Sequence, residues 1–265
     1  MSLHIEPIKI TEKLDCCNKK INCKKLNSVP FRMLLVAPSH SGKTTLILNL
    51  LSSRFYGKVF KYDDITLISQ TAFTDKKWDT LEKIQKYDVY NDKIISDIVE
   101  HQEMARTIQE KKKENESQQD VLIKKMLGNK KGKKKSIEWR HKLLILDDVI
   151  GSGFSKKHTH SYLDTLLPRM RHYKLSIIIS TQKYNILSPL MRVNMDGIIL
   201  FSISNKSEAK SIADEQSDGL SRDQFMHIWK IATKSKFGFM YIKKTEPPET
   251  QYRKGFDTIL KITQE

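Results

Sequence analysis

Residues 36–45, VAPSHSGKTT, join an apolar run to a helix-forming one through a short polar loop that ends in Gly-Lys-Thr. In a phosphate-binding loop, successive backbone N–H groups and the positive end of the following helix surround the β-phosphate. A lysine reaches the β- and γ-phosphates and a hydroxyl holds magnesium. Gly42, Lys43 and Thr44 stand in those places, and Pro38, Ser39, His40, Ser41 and Thr45 complete a cradle for ATP. Ala37 replaces the first glycine of the G-x-x-x-x-G-K-[ST] pattern. That position mainly exits the strand, and alanine costs little there if its φ is negative. A chance glycine turn is the plain alternative, and the strand, loop and helix order argues against it.

A second group, LLILDD (143–148), reads as a buried strand ending in two acids. The first acid of such a pair holds magnesium across from the loop hydroxyl, which assigns Mg2+ to Thr44 and Asp147. The second, Asp148, would face the γ-phosphate, where a carboxylate orients or deprotonates the attacking water. Its alternative role is to cap the following turn. Gln182 closes the very hydrophobic run LSIIISTQ (175–182), behind Ser180 and Thr181, where an amide can sense the γ-phosphate or its water. Arg171 and Arg192 flank that run. An arginine supplied by a neighbouring subunit can stabilise transition-state charge, and contacts with solvent or a phosphate backbone are the competing reading for both.

These residues need a scaffold, and the pattern supplies one. FRMLLVA (31–37) suits a central parallel strand covered on both faces, and KTTLILNLLSSRF after it reads as a helix. DITLISQ (64–70) is a second strand, KKWDTLEKIQKY (76–87) a helix, HKLLILDDV (141–149) a third strand and SYLDTLLPRMRHY a helix before the strand ending in Gln182. DGIILFSIS (196–204), a helical SEAKSIADEQ and a last strand FGFMYIKK complete an alternation that predicts an α/β fold with a doubly wound sheet. Residues 1–29 read as an N-terminal arm and 30–265 as the main domain. Within it, residues 93–136 are helix-forming but heavily charged, end in KKMLGNKKGKKK, and read as an insertion.

Lys+Arg outnumber Asp+Glu by 47 to 31, a net charge of +16, which points to a polyanionic partner or else to a merely lysine-rich composition. Cys16, Cys17 and Cys23 are odd in number and lack paired C-x-x-C spacing, so reduced thiols are expected rather than a metal site completed by His4. No apolar stretch approaches a membrane span, and the N-terminus lacks the layout of a secretion signal.

Taken together, PFRMLLVAPSHSGKTT, LLILDDV, RHYKLSIIISTQ and DGIILF resemble the poxvirus-type genome-packaging ATPases of large DNA viruses and their virophages, members of the FtsK–HerA superfamily of P-loop motors. The likeness runs from about residue 30 to 204. It implies a RecA-like P-loop core that forms a homo-oligomeric ring, hydrolyses ATP and drives double-stranded DNA into a preformed capsid. Capsid or portal vertex proteins are its implied partners, and the host cytoplasm or virion its place. The family roles fall on Lys43 and Thr44 for phosphate and magnesium, Asp147 and Asp148 for magnesium and water, and Gln182 as sensor. Ala37 and the lysine-rich middle depart from the pattern. The middle is open between a DNA-facing element, a capsid-docking element and a disordered loop. A cellular-type DNA translocase, a basic DNA-binding or capsid-associated protein with a decayed loop, and a small-molecule kinase are the competing functions.

Overall fold

The apolar runs of the sequence become the middle of one sheet. The computed structural model describes residues 4–9, 24–81, 83–123, 138–149 and 161–263. The strands are β1 (His4–Lys9), β2 (Arg32–Val36), β3 (Ile65–Ser69), β4 (Gln85–Tyr87), β5 (Lys142–Asp147), β6 (Leu175–Thr181), β7 (Gly197–Phe201), β8 (Phe239–Lys243), β9 (Tyr252–Lys254) and β10 (Thr258–Thr263). They form a ten-stranded sheet in the order β1-β10-β9-β8-β7-β2-β6-β5-β3-β4. From β7 to β4 the neighbours are parallel. From β7 to β1 they are antiparallel. The expected α/β core with a mostly parallel centre is present, and an antiparallel wing extends it.

The central strands read as unbroken apolar runs because both faces are covered. In β2, Leu34 and Val36 join one core with Leu144, Leu146, Ile177 and Ile179. Met33 and Leu35 join the opposite core with Ile47 and Leu50 of α1 (Lys43–Leu50) and the buried Tyr56 and Trp78. The first face is covered by α2 (Asp92–Ile123), α3 (Tyr162–Leu166), α5 (Lys206–Gln216) and α6 (Arg222–Ala232). Two short helices, α4 (Pro189–Val193) and α7 (Pro248–Gln251), complete the set. Each buried aliphatic side chain contributes about 1.5–3 kcal/mol, so this two-sided core holds β2, β5 and β6 rigidly and therefore whatever follows their ends.

One expected helix changes, and two other spans carry structure of their own. The helix read over residues 76–87 is a 3-10 turn, Lys76–Thr80, followed by the edge strand β4. Trp78 is fully buried, and the Asp75 side chain caps the amino end of the turn by accepting from Lys77 N. The charged span from 93 carries core residues at its start: Ile95, Ile98, Val99, Gln102 and Ala105 line one buried face of α2. The Gln102 amide donates to the carbonyls of Arg140 (2.9 Å) and Tyr173 (2.6 Å), tying α2 to the chain entering β5. The stripe has helical spacing but its charged surroundings conceal it. Residues 4–9, read as part of an arm, pair with β10 over the full strand. The cysteines and the KKMLGNKKGKKK segment lie outside the described residues. No described helix is long and apolar enough to cross a membrane.

Candidate nucleotide site

Parallel pairing carries the polar ends of β2, β5 and β6 to one edge of the sheet. Strand β6 lies between β2 and β5, so Val36 pairs with Thr181, and Asp147 with Ser180. The alignment continues past the strands: Ala37 N donates to Thr181 O (3.0 Å) and Asp148 N donates to Ser180 O (3.1 Å). The phosphate loop, the acidic pair and Gln182 are therefore adjacent although 145 positions of chain separate Ala37 from Gln182.

The loop's left-handed residues are His40 (φ 59°) and Gly42 (φ 94°), not Ala37, so the missing glycine removes no conformation that the loop requires. Ser41 Oγ donates to Pro38 O at 2.7 Å and closes the turn. Gly42 is the N-cap of α1 and offers no side-chain cap, and the first turn contains no acid. Its N–H groups and the positive end of the helix are thus available to an anion.

Lys43 opens the helix and is buried, and its Nζ lies 2.7 Å from Asp148 Oδ2. Gln182 Nε2 donates to the same oxygen at 3.1 Å, and Ser39 Oγ donates to Gln182 Oε1 at 3.0 Å. Asp148 holds a left-handed backbone (φ 48°), a strained conformation for a residue just beyond a strand end. Four side chains from three separate segments thus form one polar chain. This is where the structure gathers Lys43, Asp148 and Gln182.

Asp147 is different. It is buried, and burial pushes its carboxyl above the usual carboxylate range, with the nearby Ser180 hydroxyl, Lys43 and the Ser69 hydroxyl opposing and the neighbouring Asp148 acting in the same direction as burial. Among the described residues, Asp147 Oδ1, Asp148 Oδ1 and Ser180 Oγ are buried without a hydrogen-bond partner. Orphaned oxygens of this kind cost about 1–3 kcal/mol each, and an all-oxygen set beside a phosphate cradle suits a hard cation such as Mg2+. Thr44, half-buried in the first turn of α1, and Asp147 are the side chains that would hold it. Ser69, which ends β3 in register with Asp147, was not singled out from sequence. A polar residue closing an apolar strand was its one signal.

Neither flanking arginine reaches this site. Arg171 donates to Asp196 Oδ1 (2.9 Å), which also binds Arg32, and these groups sit near the amino ends of β6, β7 and β2. The cradle lies at the carboxyl ends. Arg192 is held by partners within the chain. Its side chain is only 10% exposed, and the guanidinium grips Glu215 through two bonds (2.9 and 2.7 Å), donates to Leu187 O and lies over the Tyr184 ring.

Residues 18–242 match the profile of the family described as Poxvirus A32 protein. Among curated protein sequences nothing matches the chain. The crystal structure of B204, the DNA-packaging ATPase from Sulfolobus turreted icosahedral virus, superposes with a TM-score of 0.53 at 18% identity, covering 89% of this chain and 98% of that one. B204 from Sulfolobus turreted icosahedral virus 2, described as a genome packaging NTPase in complex with AMPPCP, gives 0.51 at 17% identity over 90% and 99%. Its complex with sulfate gives 0.51 at 19% over 88% and 96%. At these identities the likeness is one of fold.

Proposed function

The chain belongs to the poxvirus A32 protein family, and we propose that it is an ATP-hydrolysing motor that moves double-stranded viral DNA into a preformed capsid. The observation that carries this reading is the polar chain Lys43–Asp148–Gln182 at the joined ends of β2, β5 and β6. A phosphate cradle alone stores or senses a nucleotide. A carboxylate bonded at once to the cradle lysine and to an amide on the next strand can couple binding to hydrolysis.

In this reading the amides of residues 38–45 and Lys43 hold the triphosphate. A γ-phosphate competes with Asp148 for the Lys43 ammonium, and the released carboxylate is then able to accept a proton from the attacking water. Gln182, bonded to Asp148 and to Ser39 of the loop, moves with that exchange and passes it to β6. Thr44 and Asp147 would hold Mg2+, which would neutralise the charge that develops on the phosphate oxygens. The net charge of +16 suits a sequence-independent grip on duplex phosphates. A homo-oligomeric ring engaging capsid or portal proteins, working in the infected-cell cytoplasm, completes the proposal.

Phosphate release measured with and without duplex DNA tests it. Wild type is expected to hydrolyse ATP faster when DNA is present. Lys43→Ala is expected to abolish turnover, and Asp148→Asn to lower it by about 10²–10⁴-fold with nucleotide still bound. DNA binding without any hydrolysis by the wild type would reject the motor.

A further inference from the structure

The polar chain accounts for the phosphate end of a nucleotide and leaves a second feature of the same loop unexplained. On its other side lies a cavity of about 310 Å³, walled by Leu46, Phe201, Phe237 and Phe239, with Gly42 and Thr45 at its border with the cradle. Its lining is mainly apolar. Phe237 stands in the turn between α6 and β8 with φ 61°, a left-handed conformation unusual for a bulky side chain, and it is 59% exposed. A Cβ placed on Gly42 would meet its ring at 3.3 Å. Phe239 carries the wall inward against Phe201, with ring centroids 5.7 Å apart. The Lys236 ammonium lies 5.2 Å from the centroid of the Phe237 ring, which is otherwise largely open to solvent; a strained backbone that holds an exposed aromatic ring against a phosphate loop is an arrangement that folding alone does not favour.

We propose that this cavity takes the adenine of ATP, stacked against Phe237. The proposal rests on the reading of residues 38–45 as a nucleotide cradle. Three observations narrow the occupant to a base. The cavity shares Gly42 and Thr45 with the cradle, so a ligand whose phosphates lie on the loop amides already has its other end beside Phe237. Its volume lies at the small end of ligand pockets, enough for a planar ring system and too little for a peptide segment. Its walls offer flat aromatic and aliphatic faces, which suit the π-face of a base, and Asn49 is the one amide on its lining able to meet the base edge. Gly42 is then required twice, for its own φ of 94° and because any side chain there would press on the stacking ring.

The test compares two ligands that share the phosphates and differ in the base. Binding of ATPγS and of inorganic tripolyphosphate, each with Mg2+, is measured by calorimetry on the full chain and on Phe237→Asn, Phe237→Tyr and Lys43→Ala. Asparagine tolerates the left-handed backbone while removing the ring. Phe237→Asn is expected to weaken ATPγS about tenfold or more and to leave tripolyphosphate unchanged, and Phe237→Tyr to stay within about twofold of wild type for both. If Phe237→Asn binds ATPγS as tightly as wild type while Lys43→Ala loses both ligands, the base sits elsewhere and the cradle stands. Equal weakening of both ligands by Phe237→Asn would make the ring a support of the loop and overturn the proposal. A wild type that binds neither ligand removes the cradle and the base site together.

Discussion

Asp147 and Asp148 are neighbours in sequence with opposite surroundings. Asp148 turns through a left-handed φ to reach Lys43 and Gln182, whereas Asp147 stays in the sheet with Oδ1 buried and unpartnered. Burial disfavours the ionised form of Asp147, and Ser180, Lys43 and Ser69 offset that only in part, so its charge is a burden on the fold that a bound cation would relieve. Asp147→Asn keeps the shape and removes the charge. It is expected to raise stability at neutral pH by about 1–3 kcal/mol in the absence of nucleotide, while eliminating the further rise in Tm that Mg2+ and ATP together give the wild type. Thermal unfolding with and without the two ligands reads both effects. An unchanged or lowered Tm for the apo variant would show that Asp147 is already satisfied. Much of this site was legible in the sequence, because a loop that holds phosphate demands particular residue types within ten positions. The bond from Lys43 to Asp148 was not, since nothing local ties residues 105 positions apart to one another.

Elements decide which of the sequence's arginines are free to act. Arg192 follows the cap Ser188 on α4, and its two bonds to Glu215 pin α4 to α5 across the top of the first core. Arg171 is 59% exposed and shares Asp196 with Arg32, so its loss leaves that carboxylate paired. Arg192→Ala is expected to destabilise the fold by about 2–4 kcal/mol, a value below that of a fully buried pair because Glu215 is partly exposed. Arg171→Ala is expected to change stability by less than about 1 kcal/mol. Denaturant midpoints measure both, and equal losses would refute the distinction. The strands around β2 were readable because two-sided burial leaves an unbroken apolar run. The wing of β9, β10 and β1 was not, since β1 and β10 meet from opposite ends of the chain and short mixed strands carry no period of their own. The start of α2 was hidden for a different reason: its apolar stripe is narrow, and the charges on the remaining faces dominate its composition.

A motor on DNA must hold phosphates without reading bases, and a net charge of +16 is a property of the whole chain rather than of any one element. If phosphate neutralisation supplies the grip, log K falls linearly with log salt, by about 0.9 per phosphate engaged, and duplexes of equal length and different sequence bind alike. About six such contacts would weaken binding on the order of 10³-fold between 50 and 200 mM salt. Seven lysines lie between residues 124 and 135, and replacing them all with serine lowers the formal charge from +16 to +9. Fluorescence anisotropy across a salt series is expected to give a shallower slope for that variant, by up to about 0.9 per lysine that meets a phosphate. ATP turnover without DNA is expected to stay at the wild-type rate, because the polar chain at the strand ends lies on other elements. An unchanged slope would assign the grip to other residues of the chain, and a loss of basal turnover would tie the lysine-rich segment to the nucleotide site itself.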